Sequence, residues 1–173
     1  MANWISNSRN AQSVDVDMSN GATDVIIASL CLAGADIAVT NWQKRSLQWI
    51  AAHDQSIMGR GCVSFDVADL GWTTIDFDAQ HRFMLQVVDR ALMHHAWDKL
   101  PYSPNAEIVD DMLTRIRKLF CEFTIKNCTN DALEWPLAPP TSIDRCAAHG
   151  VFMHAHGCPL CNESQARCGD HPE

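Results

Sequence analysis

Cys146-Ala-Ala-His149 and Cys158-Pro-Leu-Cys161 are two pairs of soft ligands, each with two residues between its members and eight residues between the pairs. Thiolate sulfur and imidazole nitrogen are what zinc takes in tetrahedral sets of four. Two ligands at this spacing can face one ion from a tight turn. Gly150 follows the first pair and Asn162 the second. Both residue types tolerate the left-handed backbone that such a turn uses to aim N–H groups at sulfur. Val151, Phe152 and Met153, between the pairs, supply a short hairpin arm with apolar contacts. Cys146, His149, Cys158 and Cys161 are therefore the expected ligands of a structural zinc ion. Four protein ligands close the coordination sphere and leave no position for a catalytic water.

Four of the eight cysteines and four of the eight histidines fall within residues 146–173. Disulfides would leave the histidines unexplained, whereas a metal uses both. Cys168-Gly-Asp-His171 repeats the two-residue spacing, so Cys158, Cys161, Cys168 and His171 form a competing set. His154 or His156 could add a nitrogen to either. The first set has the better turn residues, and Cys168 sits close to a chain end. Residues 146–162, Cys-x-x-His-Gly … Gly-Cys-Pro-Leu-Cys-Asn, resemble the knuckles of zinc-ribbon-like modules, with His149 where the commonest pattern has a second cysteine. The resemblance implies structural zinc and no particular activity. No family resemblance extends to residues 1–140.

A second group of residues could do chemistry. His53 and Asp54 stand just ahead of Gly59-Arg60-Gly61, and Cys62 follows. A thiol beside an imidazole would make a nucleophile for a small hydrolase or transferase. The plainer expectation is that His53 and Asp54 cap a helix end. The glycines match neither a phosphate-binding loop nor a dinucleotide fingerprint and read as turn formers. The scattered Cys31, Cys62, Cys121 and Cys128 read as small buried hydrophobes.

The elements that must hold these residues are mostly helical. Residues 1–20, rich in Asn, Ser and Asp, read as a mobile leader. Val25, Ile26, Leu30 and Ala33 recur at helical spacing and stop at Gly34, a glycine in the place of a C-terminal cap. Thr40 and Gln43 have the spacing of a capping box, ahead of an apolar stripe through Trp42, Ser46, Trp49 and Ile50. Val63, Phe65 and Val67 alternate with polar neighbours and predict one short extended segment. A third helix is expected over 78–99, with Phe77, His81, Met84, Leu85, Val88, Ala91, Leu92 and His95 on one stripe. Ser103 and Pro104 are placed to start a fourth, whose apolar face is Ile108, Met112, Ile116, Leu119, Phe120 and Phe123. The expected fold is thus mainly α: a bundle of about four helices with one short extended segment and a small C-terminal zinc-binding knuckle. Its parts would be a leader at 1–20, a helical core at 21–134, a proline-rich linker at 135–140 and a zinc-binding tail at 141–173.

Composition narrows the function. The chain has 173 residues, 47% hydrophobic and 20% charged, with a formal net charge of −8. An acidic whole argues against binding phosphates and for a basic protein partner. The longest apolar run, 25–34, is too short to span a bilayer, and Met1 to Asn7 do not read as a signal peptide, so the expected compartment is the cytoplasm. Most of the six tryptophans should anchor the core, with one or two left as binding hot spots. The leading expectation is a zinc-binding adaptor or interaction protein, with an inhibitor or immunity-type protein as a special case. The alternatives are an enzyme using His53, Asp54 and Cys62, and a zinc-dependent regulatory protein.

Overall fold

The fold is that of a computed structural model describing residues 3–169, with side chains through 165. Helix α1 (Asn20–Ala35) is its axis. Every residue from Val25 to Ala35 is buried, so the helix has no polar face. A helix apolar all round must be covered all round. Here the cover comes from α2 (Asn41–Ala51), the one-turn α3 (Gln55–Met58), α4 (Phe77–Leu92), α5 (Ala106–Glu122) and α6 (Pro159–Gly169). Ser19 starts α1 by accepting from the Ala22 N–H at 3.3 Å. Gly34 is not the left-handed cap expected of it. It lies inside the last turn, where a Cβ would stand 2.5 Å from Leu47 Cδ2. Glycine is needed there because α2 crosses so close.

The remaining helices follow their local signals with shifts of a residue or two. The Thr40–Gln43 capping box forms, with Gln43 N to Thr40 Oγ1 at 3.2 Å and Thr40 N to Gln43 Oε1 at 2.9 Å. Helix α4 stops at Leu92 rather than at Lys99, because His94 and Ala96 adopt φ of 58° and 59° and turn the chain. Helix α5 is capped by Asn105, two residues later than Ser103. Its buried side is Val109, Leu113, Ile116, Leu119 and Phe120, which leaves Ile108 exposed.

A pure four-helix bundle is not what forms. Among the described residues there are six helices and a three-stranded sheet in the order β2–β1–β3. Strand β1 (Asn3–Ser6) pairs antiparallel with β2 (Val16–Met18) and parallel with β3 (Ser64–Asp66). Residues 3–18, expected as a loosely packed leader, thus build two of the three strands, and Ile5, Val16 and Met18 enter the core. Three of the polar residues that suggested a leader, Asn3, Ser6 and Asn7, are buried and make internal hydrogen bonds. Buried Asn3 donates to Thr23 Oγ1 (2.8 Å) and Gln55 Oε1 (3.1 Å), and accepts from the Val63 N–H (2.9 Å). Ser6 Oγ and the Ser8 N–H both donate to Asp66 Oδ2.

The C-terminal third is not an appendage either. Residues 133–140 run across the core as a strap. Trp49 Nε1 donates to the Glu134 carbonyl (2.7 Å), and Arg45 donates to the Pro140 carbonyl (2.9 Å). Gly71, at φ 64°, lets Leu133 pass close enough that a Cβ would meet its backbone N at 3.1 Å. Beyond the strap, Cys146, Val151, Phe152, Cys158 and Leu160 belong to the same hydrophobic core as α1. No helix among the described residues is long and apolar enough to cross a membrane. Trp49 and Trp72 are buried anchors, Trp42, Trp97 and Trp135 are partly buried, and Trp4 is exposed.

Candidate metal centre

The first ligand pair sits on a small hairpin. Arg145 bridges Phe152, Cys146 N donates to Val151 O (2.8 Å), and Gly150 N returns to Cys146 O (2.8 Å). Gly150 takes φ 73°, as the turn requires. Backbone N–H groups of Ala148 and His149 then point at the Cys146 sulfur. The second pair is built differently from expectation. Asn162 is not a left-handed turn residue but part of α6, and Gly157, at φ 105°, turns the chain ahead of Cys158 instead. Pro159 opens the helix, Asn162 N donates to Cys158 O (3.0 Å), and Cys161 lies in the first turn with its N–H on the Cys158 sulfur. A hairpin knuckle and a helix N-terminus therefore face each other.

Between them the four ligand atoms converge. His149 Nδ1 lies 3.6 Å from Cys146 Sγ, 3.5 Å from Cys158 Sγ and 3.4 Å from Cys161 Sγ, while the sulfurs of Cys146 and Cys161 are 3.7 Å apart. All four atoms fall within 4.8 Å of one another, and together they could hold a metal ion. The electrostatics point the same way. Burial raises the Cys146 thiol, but the N–H groups of His149 and Ala148 and the neighbouring side chains outweigh it and bring the pKa down to about 6. Cys158 is pushed up to about 12, first by burial and then by Cys146 and Cys161. Burial and Cys146 raise Cys161 too. One thiolate is what the protein alone supports, because each further one would face the first. A divalent cation reverses that and makes all three thiolates favourable ligands.

The competing residues go elsewhere. His154 is buried and joins no metal cluster among the described residues. Its Nδ1 accepts from the His156 N–H (3.3 Å), which places its proton on Nε2, 3.3 Å from Asp54 Oδ2. The side chain of Cys168 and the whole of His171 lie outside the described residues. Of the scattered cysteines, Cys31 is buried as expected, whereas Cys62 and Cys121 are exposed.

His53, Asp54 and Cys62 share no hydrogen bond among the described residues. His53 Nδ1 is held by the Trp49 carbonyl (2.9 Å). Cys62 is exposed, and its thiol faces the Arg60 carbonyl (3.8 Å). Asp54 does cap α3, through the Ser56 N–H at 2.8 Å, but its other oxygen receives Asn162 Nδ2 at 2.8 Å as well as His154. It is thus a latch between the α2–α3 turn and the segment that carries the four converging ligand atoms. A second latch is Gln48, wholly buried, whose amide donates to the carbonyls of Ser142 (2.9 Å) and Met153 (2.8 Å). Spacing does not reveal either residue. The one available signal is a glutamine on the buried face of α2 between Leu47 and Trp49.

Lys99 and Arg145 brace the knuckle from outside, donating to the carbonyls of His149 (3.1 Å) and Gly150 (2.6 Å). Comparison of the chain with protein-family models, with curated proteins and with solved structures finds no match.

Proposed function

We propose that this chain is a zinc-stabilised adaptor whose work is to bind another, basic protein. The size of the ligand tetrahedron supports zinc. Bonds of about 2.3 Å to sulfur and about 2.05 Å to nitrogen, at tetrahedral angles, imply S–S edges of about 3.8 Å and S–N edges of about 3.6 Å. Three S–N edges of 3.4–3.6 Å and the Cys146–Cys161 S–S edge of 3.7 Å match them, and all the ligand atoms lie within 4.8 Å of one another. Three thiolates and an imidazole also suit a borderline-soft cation, where calcium and magnesium would want oxygen.

The closed ligand set carries the functional reading. Four protein ligands hold the ion for folding and leave it no open position for chemistry. What the molecule then offers is its surface, and a net charge of −8 favours a basic partner through long-range attraction. The test has two arms. Elemental analysis should find about one zinc per chain, lost in Cys158→Ser. Native purification at low salt should bring down a basic protein that dissociates as ionic strength rises. A metal-free folded chain would defeat the zinc reading, and a clean monomer at low salt would defeat the adaptor reading.

A further inference from the structure

The strap that crosses α2 leaves a pocket of about 190 Å³ beneath it. That is smaller than the ~300–1,000 Å³ of ordinary small-molecule sites and is suited to a single side chain. Trp49 and Phe65, edge to face with ring centroids 5.1 Å apart, form its inner wall. Trp135 adds a third, partly exposed ring from the strap. The polar lining is Asp69, Glu134, Ser64 and His53.

These polar groups have one character. His53 is 2% exposed, and its one hydrogen bond runs from Nδ1 to the Trp49 carbonyl. A carbonyl can only accept, so the proton is on Nδ1 and Nε2 presents a lone pair, without a partner among the described residues. Burial holds the imidazole neutral, with a pKa near 4. Asp69 uses one oxygen to accept from the Asp66 N–H (3.1 Å). Burial raises its pKa, and the charges of Asp66 and Glu134 add to the rise. Arg9 offsets part of this, but is itself 3.8 Å from Asp131. The Ser64 hydroxyl and the Trp135 indole N–H aside, the polar side chains that line the pocket offer acceptors: two carboxylates and an imidazole, set among aromatic rings. What it lacks is a flat cation rich in donors.

We propose that this pocket receives the guanidinium group of an arginine side chain on the partner. Stacked against Trp135, the guanidinium would donate to the Glu134 and Asp69 carboxylates at the mouth and to His53 Nε2 at the base. Five N–H donors in a plane fit several acceptors at once, and a weakly hydrated cation enters an aromatic pocket more readily than an ammonium does. This deepens the adaptor reading by naming the partner's recognition chemistry, and it rests on that reading only for the source of the arginine.

The test is calorimetric titration of the zinc-loaded full chain with N-acetyl-arginine methylamide, and with the citrulline, lysine and trimethyllysine analogues. The arginine compound should bind at least tenfold more tightly than citrulline, which has its shape without the charge. Glu134→Gln, at an exposed position, should weaken it at least fivefold at an unchanged melting temperature, and Trp135→Ala should do the same in the folded, zinc-loaded chain. Equal binding of citrulline, no binding of arginine, or no effect of Glu134→Gln would overturn the proposal. Tighter binding of trimethyllysine would reassign the pocket to methylated ammonium and overturn it too. Partner capture without arginine binding would sink the pocket alone. Arginine binding without a partner would sink the adaptor reading alone.

Discussion

Replacing Cys158 by serine, or stripping the metal with a chelator, should destabilise the whole molecule rather than loosen its end. Without the ion the Cys146 hairpin and the first turn of α6 lose the bonds that would join their ligand side chains, and three thiols and an imidazole are left to share one small space. Val151, Phe152 and Leu160 lie between them and the core, at 0%, 4% and 0% exposure. Full burial of such a side chain contributes about 1.5–3 kcal/mol, so the three together contribute about 5–9 kcal/mol. That is an upper bound, because the unfolded chain already hides some apolar surface. It is nevertheless comparable with the ~5–15 kcal/mol that holds a whole domain folded. At about 2–4 °C per kcal/mol for a chain of this size, the melting temperature should fall clearly, by up to roughly 10–35 °C. Near-ultraviolet circular dichroism follows the environment of Trp49 and Trp72, which lie outside the ligand set, through a thermal melt with and without chelator. A single transition that moves down as one is expected. An unshifted melt after proven loss of metal would refute the reasoning, as would two separate transitions with the tail melting first.

Three further perturbations test the framework around the site. Burial lowers the His53 pKa to about 4 from an ordinary value near 6.5, so the unfolded chain takes up the proton first as pH falls. The stability tied to the neutral ring is therefore whole above about pH 6.5 and lost towards pH 4, about 3 kcal/mol in all. Urea midpoints of His53→Gln should lack that part of the wild-type fall; identical slopes would count against it. Asp54→Ala removes the acceptor for His154, Asn162 and the Ser56 N–H, and should cost about 3–5 kcal/mol in urea unfolding, with Asp54→Asn recovering part of it. Gly34→Ala should destabilise by about 1 kcal/mol, because overpacking against Leu47 outweighs the gain in helix propensity. A higher melting temperature in that variant would show that the crossing of α1 and α2 can relax.

What could be read from the sequence was local. The spacing of Cys146, His149, Cys158 and Cys161 marks the ligand set because each knuckle closes over three residues, and the Thr40–Gln43 box forms for the same reason. The starts of α5 and the end of α4 drifted because Asn105 outcompetes Ser103 as a cap and because His94 and Ala96 leave the helix on left-handed φ values that their types do not announce. Strands β1 and β2 were invisible for a deeper reason. Their pairing joins Trp4 to Asp17 and Ile5 to Phe65, and Asn3 and Ser6 are inside despite being polar. A buried asparagine with four internal partners looks, as a sequence letter, no different from one in water.

The same distinction governs the tail. Proline and cysteine density suggests a stiff linker carrying a self-contained metal module, and the ligand geometry taken alone fits that picture. The hydrogen bonds that contradict it join residues about a hundred positions apart: Gln48 to Met153, Asp54 to Asn162, Arg45 to Pro140. Each uses a buried or half-buried polar group of α2 or the turn after it to satisfy backbone or side chain arriving from the C-terminal third. Such groups are costly to bury unpaired, so the core surface they line is complete only when residues 133–165 lie on it. Zinc in this arrangement would act as a clasp on the outermost layer of a single core. That is why its removal should reach Trp49 and Trp72, and why the strap over α2 has the rigidity to frame a pocket.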